Sequence, residues 1–133
     1  MCKSIARIAG AIVLLVAFGT GCTRETREVS YKADIVPIFQ QRCIVCHAEG
    51  APGCLVSGLS LATYESLMRG TKFGPMVVAG QSTNSNLLVL VKHQADPSIA
   101  MPRSQTPGKP SEWLLPEQIN LIEKWIDQGA KNN

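Results

Sequence analysis

Cys43, Cys46 and His47 are three residues that can do chemistry, and they lie within five consecutive positions, Cys-Ile-Val-Cys-His. On a helix, positions i and i+3 share a face and position i+4 lies almost above position i, so both thiols and the imidazole can meet one flat macrocycle. The thiols can form thioether bonds to the vinyl groups of haem, and the imidazole can take an axial position on the iron. The spacing therefore predicts one covalently attached haem c.

Two other chemistries use the same residues. Cys43 and Cys46 could form a redox disulfide, but that motif usually opens a helix after a strand, and no such pattern surrounds it here. Cys54 could instead complete a structural zinc site, although such sites usually draw their ligands from two separated pairs. With haem bound, Cys54 has no evident partner; it is either a small buried hydrophobe, which we favour, or an exposed thiol that pairs between molecules.

The iron of an electron carrier needs a sixth ligand, and the candidates after residue 22 are Met68, Met76, His93 and Met101. Met101 lies in the proline-rich segment 96–110, and a loop of that length in a small domain usually has a function. Pro102 restricts the backbone of Met101 to extended conformations, which would help to hold its thioether over the iron. We therefore predict that His47 and Met101 are the axial ligands.

The other three candidates have ordinary structural interpretations. Met68 falls on the apolar face of a short predicted helix, where packing is the expected role. Met76 is an apolar residue in an extended stretch, and His93 follows an apolar run at a predicted helix end. His93 would give a bis-histidine iron of lower potential. Met76 and His93 stay open as alternatives to Met101.

The first 22 residues have Lys3 and Arg7 ahead of an apolar run over residues 8–18 that is too short to cross a bilayer and is followed by small residues. This pattern predicts a secretory signal peptide. It resembles a bacterial lipoprotein leader cleaved before Cys22, although such leaders usually have Leu where this chain has Gly19. The resemblance implies a lipid on Cys22, and hence a protein anchored by acyl chains on the periplasmic side of a bacterial membrane.

The predicted organisation is a signal peptide over residues 1–21, a tether over residues 22–30 and one domain over residues 31–133. Loss of Lys3 and Arg7 with the leader lowers the net charge from +3 to +1. No basic run indicates nucleic acid as a partner.

The haem motif is expected at the end of a first helix. Asp34 is the predicted N-cap, which puts Pro37 in the first turn, where proline does no harm. Ile35 and Phe39 then share one face with Cys43. The sequence after His47 contains Gly50, Pro52 and Gly53, which should end the helix. A backbone carbonyl past that break should accept the other N–H of His47, with Pro52 as the candidate.

Three further short helices are predicted. One is capped by Thr63 and ends at Gly70, and the next has Asn84 or Ser85 as its N-cap. The last begins at Pro116 and stops at Gly129, and its apolar residues are Ile119, Leu121, Ile122, Trp125 and Ile126. No sustained alternation of apolar and polar residues is present. The expected fold is all-α, a small domain of about four short helices with long loops around one haem.

The chain resembles monohaem c-type cytochromes, and most of all the planctomycete-type cytochrome c domains. The stretches that carry the resemblance are "YKADIVPIFQQRCIVCH", "GLSLATYESLMRG", "AMP" and "IEKWIDQGA". It implies that the first and last helices cross beside the haem, bringing Phe39 near Trp125, and that the distal ligand is the methionine before a proline, here Met101. Two departures are Leu115, where a capping residue is usual, and the extra thiol of Cys54.

The sequence shows one haem motif, no acid-base constellation and no phosphate-binding glycine loop. We therefore expect a single-electron carrier and not an enzyme, which exchanges electrons with redox protein partners. A second hypothesis is a haem-based ligand sensor or a small peroxidase-like protein with a labile sixth ligand. A third is a zinc-stabilised interaction module.

Overall fold

The computed structural model describes residues 27–133 except positions 105, 107 and 110. The predicted signal peptide and Cys22 lie outside the described residues. Within the described ranges the α-helices are α1 (Val36–Arg42), α2 (Ile44–His47), α3 (Pro52–Ser57), α4 (Tyr64–Arg69), α5 (Asn86–Val91) and α6 (Pro116–Asp127). A π-helical turn, Tyr31–Ile35, leads into α1, and a 3₁₀ turn, Ser82–Asn84, precedes α5.

The predicted all-α class is confirmed. In the part of the chain that the structure describes, the β contacts amount to one isolated bridge between Thr71 and Gly74. No helix among these residues is both long enough and apolar enough to cross a bilayer.

Six helices are found in these ranges where about four were predicted, and the difference lies around the haem motif. Cys43 has φ −128° and ψ −36°, so it interrupts the predicted first helix and separates α1 from α2. Pro52, predicted only to help end a helix, instead occupies the first turn of α3. Proline suits that position because its fixed φ is helical and its missing N–H has no intrahelical acceptor there.

The entry to α1 is capped by Ser30 and not, as predicted, by Asp34. The hydroxyl of Ser30 accepts the N–H of Ala33 at 3.1 Å, and the N–H of Ser30 donates to the Asp34 carboxylate at 2.8 Å. The Arg27 guanidinium also donates to Asp34, and these bonds lower the pKa of that carboxyl. Ser30 supplies the capping oxygen itself, so it is the N-cap. Asp34, four positions later, lies inside the first turn and accepts the N–H of Ser30.

The later helix ends follow the predictions more closely. The hydroxyl of Thr63 accepts the N–H of Ser66 at 3.1 Å, which confirms Thr63 as the cap of α4. Ser85 precedes α5 as one of the two predicted N-caps. α6 begins at Pro116, as predicted. Leu115 cannot cap it through its side chain; instead its N–H donates to the side-chain oxygen of Gln118 at 2.9 Å.

The core joins the π-helical turn to α4 and α6. Ile35 and Phe39 are buried, as predicted for the face that leads to Cys43. The indole of Trp125 lies 5.4 Å from the ring of Tyr31, which meets the ring of Tyr64 edge-on at 5.2 Å. Phe39 and Trp125 both belong to this core, but the aromatic ring paired with Trp125 is that of Tyr31.

Leu67 and Leu55 provide a matched test of this core, because Leu67 is fully buried in α4 whereas Leu55 is 72% exposed in α3. We expect Leu67→Ala to lower the free energy of unfolding by about 2–5 kcal/mol, through lost burial and the cavity that is left. Leu55→Ala should change it by less than about 0.5 kcal/mol. Urea unfolding of the two variants measures both values, and similar losses would contradict the packing described here.

Candidate haem-attachment site

Cys43 links the two helices of the haem motif. Its N–H donates to the carbonyl of Phe39 at 2.9 Å, as the last bond of α1. Its carbonyl accepts the N–H of Cys46 at 3.1 Å and that of His47 at 2.9 Å, and these are the first hydrogen bonds of α2. The bond from His47 spans one α-helical turn, so Cys43 and His47 stand one above the other with Cys46 beside them. The structure thus brings together the three residues that the motif predicted.

The thiol of Cys43 is partly buried and packs against the hydrophobic core. Burial raises its pKa to about 11, although the charge of Arg42 opposes the shift. This thiol is therefore protonated throughout the physiological pH range. Because the thiolate is the nucleophilic form of cysteine, the folded chain protects Cys43 from reaction.

The disulfide and zinc alternatives both involve the cysteines of this region. Cys43, Cys46 and Cys54 are all free thiols. A zinc site would need Cys54 beside the motif. Among the described residues, no three His, Cys, Asp or Glu side chains lie close enough together to hold a metal ion. Cys54 is half-buried, so it is neither the fully buried residue that we favoured nor a fully exposed thiol.

The imidazole of His47 is 8% exposed and its Nδ1 lies 3.2 Å from the carbonyl oxygen of Leu59. A carbonyl can only accept, so Nδ1 carries the proton and Nε2 keeps its lone pair for a metal. The carbonyl of His47 in turn accepts the N–H of Leu61 at 2.8 Å. The predicted backbone carbonyl past the end of the first helix is confirmed, but the candidate Pro52 was wrong, because Pro52 begins α3 and the chain returns to the imidazole only after that helix.

The donor set fits a c-type haem. The free thiol of Cys43 stands one helical turn from a buried imidazole whose tautomer leaves Nε2 available to bind iron, and the free thiol of Cys46 belongs to the residue just before that histidine. In such a complex the two sulfurs would hold the macrocycle and His47 would be one axial ligand.

Arg42 is a contributor to the site that the sequence did not indicate. Its guanidinium donates to the carbonyls of Glu112 and Trp113 at 2.7 and 2.9 Å, and it pairs with the Glu112 carboxylate at 3.0 Å. These bonds fasten the segment before α6 beside the residue that precedes Cys43. No local pattern predicts a contact across about 70 positions, because an exposed arginine in a helix has many equivalent solvated conformations.

The segment of Met101 is attached to the end of α5. The N–H of Met101 donates to the carbonyl of Leu90 at 3.3 Å, and its side chain is half-buried. Ala100 and Pro102, on either side of it, line a cavity of about 680 Å³ that also includes Arg103. Met101 itself does not line this cavity, although the residues on either side of it do.

His93 and Trp113 line the same cavity. Their rings stack with centroids 4.0 Å apart, and His93 adopts a φ of +56°, which few residues other than glycine do. The Nε2 atom of His93 is buried and has no hydrogen-bond partner in the described part of the chain. The predicted alternative His93 is thus placed near the Met101 segment.

The other two methionines serve the core. Met76 is buried, and its carbonyl accepts the N–H of Leu87 at 2.9 Å. Met68 is partly buried and packs against the core from α4, as predicted.

The site has the features of c-type haem attachment: a Cys-x-x-Cys-His turn with a buried imidazole fixed by a backbone carbonyl. Residues 43–105, just under half of the chain, match the model of the family described as planctomycete cytochrome C. The match confirms the predicted resemblance to planctomycete-type cytochrome c over that segment.

One curated relative is the hydrazine synthase subunit alpha of Kuenenia stuttgartiensis, which is 27% identical over 125 residues. The alignment covers 79% of this chain but only 16% of the relative, so the chain spans less than a fifth of that subunit. No solved structure matches this chain.

The protonation of Cys43 can be tested in protein produced without the haem-attachment machinery. Since each pKa unit changes the thiolate fraction tenfold, a pKa of about 11 in place of 9.0 lowers that fraction about a hundredfold below pH 9. We expect Cys43 to react with iodoacetamide correspondingly more slowly in the folded chain at pH 8 than in denaturant, and its rate to rise as the pH approaches 11. Peptide mass spectrometry measures both rates, and equal rates would contradict the predicted protection.

Proposed function

We propose that this chain is an exported monohaem c-type cytochrome that carries single electrons between redox proteins. One haem c would be attached through Cys43 and Cys46, with its iron between His47 and Met101. The observation that supports this most strongly is the arrangement at His47, where a buried imidazole is held in the iron-binding tautomer beside two free thiols.

The residues around the imidazole favour reversible electron transfer. When bound, the haem supplies a one-electron couple at its iron, and ligation by methionine raises the potential of that couple relative to two histidines. The hydrogen bond to the Leu59 carbonyl makes the Nε2 of His47 a stronger electron-pair donor to iron and holds the ring in one orientation. Burial of the ring keeps water from competing for the same hydrogen bond. A ligand that moves little between oxidation states suits a carrier.

The first prediction concerns the attachment itself, and the chain offers a matched set of three cysteines. After expression with the haem-attachment machinery, the peptide that contains residues 43–47 should carry one tetrapyrrole, and the denatured, washed protein should keep haem absorbance. Cys43→Ala and Cys46→Ala should each break one thioether bond, while Cys54→Ala should leave both intact. Mass spectrometry gives the mass of each peptide. Unmodified wild-type peptide from the native host would refute the proposal.

The second prediction concerns the sixth ligand. Met101→Ala should abolish the weak red absorption band of ferric iron bound to thioether sulfur, while the haem stays attached. Met68→Ala is the matched control, because Met68 packs against the core in α4 and should leave the band unchanged. If Met68→Ala or Met76→Ala removes the band instead, the assignment of Met101 is wrong. A wild-type protein without the band would favour His93.

A second candidate function has one specific observation in its favour, the cavity of about 680 Å³ beside Met101. His93 lines this cavity, and its buried Nε2 has no hydrogen-bond partner among the described residues. For this function Met101 would leave the iron easily, and the protein would be a ligand sensor or a peroxidase-like protein. Rapid binding of carbon monoxide by the untreated ferrous protein would favour this function, and no binding would favour the carrier.

The activity of the subunit that the chain resembles is not part of the proposal, because the chain matches only 16% of its length. We also propose that the protein is lipid-anchored through Cys22 on the periplasmic side of a bacterial membrane. The pattern of the first 22 residues supports this. Mass spectrometry of the mature N-terminal peptide tests it, since cleavage at another position would contradict the anchor.

A further inference from the structure

We propose that Gly53, Ser57 and the Leu59 carbonyl form a clamp that fixes the rotation of the His47 imidazole. We call these three groups the imidazole clamp. The inference rests on the proposed function, in which His47 binds the haem iron. It assigns Gly53 and Ser57 as positioning residues, which act on the iron only through His47.

The backbone of Gly53 lies so close to Cys46 and His47 that no residue with a Cβ atom fits there without a shift. A Cβ atom at this position would be 2.6 Å from the carbonyl oxygen of Cys46 and 3.1 Å from Cε1 of His47. Real Cβ atoms essentially never approach within 3.0 Å, so a side chain here would push the imidazole or the turn away. The first turn of α3 therefore limits the movement of the ring on its Cε1 side.

Backbone conformation does not explain this glycine. All the other glycines in the described part of the chain have a positive φ, whereas Gly53 lies in the first turn of a helix without one. In a helix interior glycine is less favourable than alanine by about 1 kcal/mol. What requires glycine at position 53 is the close approach to the Cys46 carbonyl, with the imidazole of His47 next to it.

Ser57 connects the two sides of the clamp. Its hydroxyl donates to the carbonyl of Gly53 at 2.6 Å and accepts the N–H of Leu59 at 3.1 Å. The carbonyl of Leu59 then accepts from Nδ1 of His47 at 3.2 Å. Gly53, which lies beside Cε1, and Leu59, whose carbonyl accepts from Nδ1, are thus joined through the side chain of Ser57. These contacts hold neighbouring atoms of the ring, so they fix its rotation as well as its tautomer.

The experiment uses the haem-loaded ferric protein, in which the orientation of an axial imidazole determines the chemical shifts of the haem methyl protons. We expect Gly53→Ala to change the pattern of these shifts, because the new methyl group would displace the Cys46 carbonyl and crowd Cε1, so the turn that carries the imidazole must shift. Ser57→Ala adds no atoms, but it releases the connection between Gly53 and Leu59. We therefore expect it to broaden or shift the same resonances.

Two controls separate positioning from general destabilisation. Gly70→Ala places a Cβ 2.6 Å from the carbonyl of Gly74, so it produces a clash of equal distance elsewhere in the chain. Ser66→Ala removes a hydroxyl that makes the same two kinds of hydrogen bond, to the carbonyl and from the N–H of Thr63. Both controls should lower the unfolding midpoint and leave the pattern of haem methyl shifts as in the wild type.

Each outcome decides the inference. Wild-type methyl shifts in Gly53→Ala and Ser57→Ala would overturn the clamp, as would equal changes in the two controls. If Gly53→Ala does not fold, Ser57→Ala decides alone, since it creates no clash. A wild-type protein without haem would refute the proposed function instead, so the two failures are distinguishable.

Discussion

The hydrogen bond between His47 and the carbonyl of Leu59 is the constraint on which the site depends. It joins residues twelve positions apart and closes a loop that contains all of α3. Ordering each backbone residue of such a loop costs about 1–2 kcal/mol, whereas one hydrogen bond contributes only about 0.5–1.5 kcal/mol net. The bond can persist only because other contacts order the loop. Leu59 and Leu61 bury their side chains in the core, and the N–H of Lys72 donates to the carbonyl of Ser57 at 3.0 Å.

The same argument explains how short helices can support a precise site. None of α1 to α5 exceeds seven residues, and helices of this length are not stable alone in water. They are fixed by their buried faces, in which Leu67 of α4 and Trp125 of α6 are almost inaccessible to water. A covalently attached haem would add a large apolar surface to this core. The predicted cofactor would therefore stabilise the fold that holds its own ligand.

The sequence predicted features that depend on a few adjacent residues. The haem motif, the cap at Thr63 and the start of α6 at Pro116 follow from local stereochemistry. The acceptor for His47 could not be predicted, since every residue has a carbonyl and only the folded path of the chain selects that of Leu59. α3 was missed for a related reason. Proline and glycine usually interrupt helices, but here Pro52 begins one, and Gly53 is required by its close approach to the Cys46 carbonyl beside the imidazole.

The two predicted axial ligands differ in how firmly the chain holds them. His47 is buried, hydrogen-bonded through its ring and in contact with α3. Met101 is half-buried beside a cavity, and its N–H makes one long bond of 3.3 Å to Leu90. His47 would therefore be the firmly held ligand of a bound haem, and Met101 the one whose position depends on its surrounding segment. On the proposed ligation, the choice between an electron carrier and a ligand-binding haem protein would depend on that segment, and the haem motif is compatible with both.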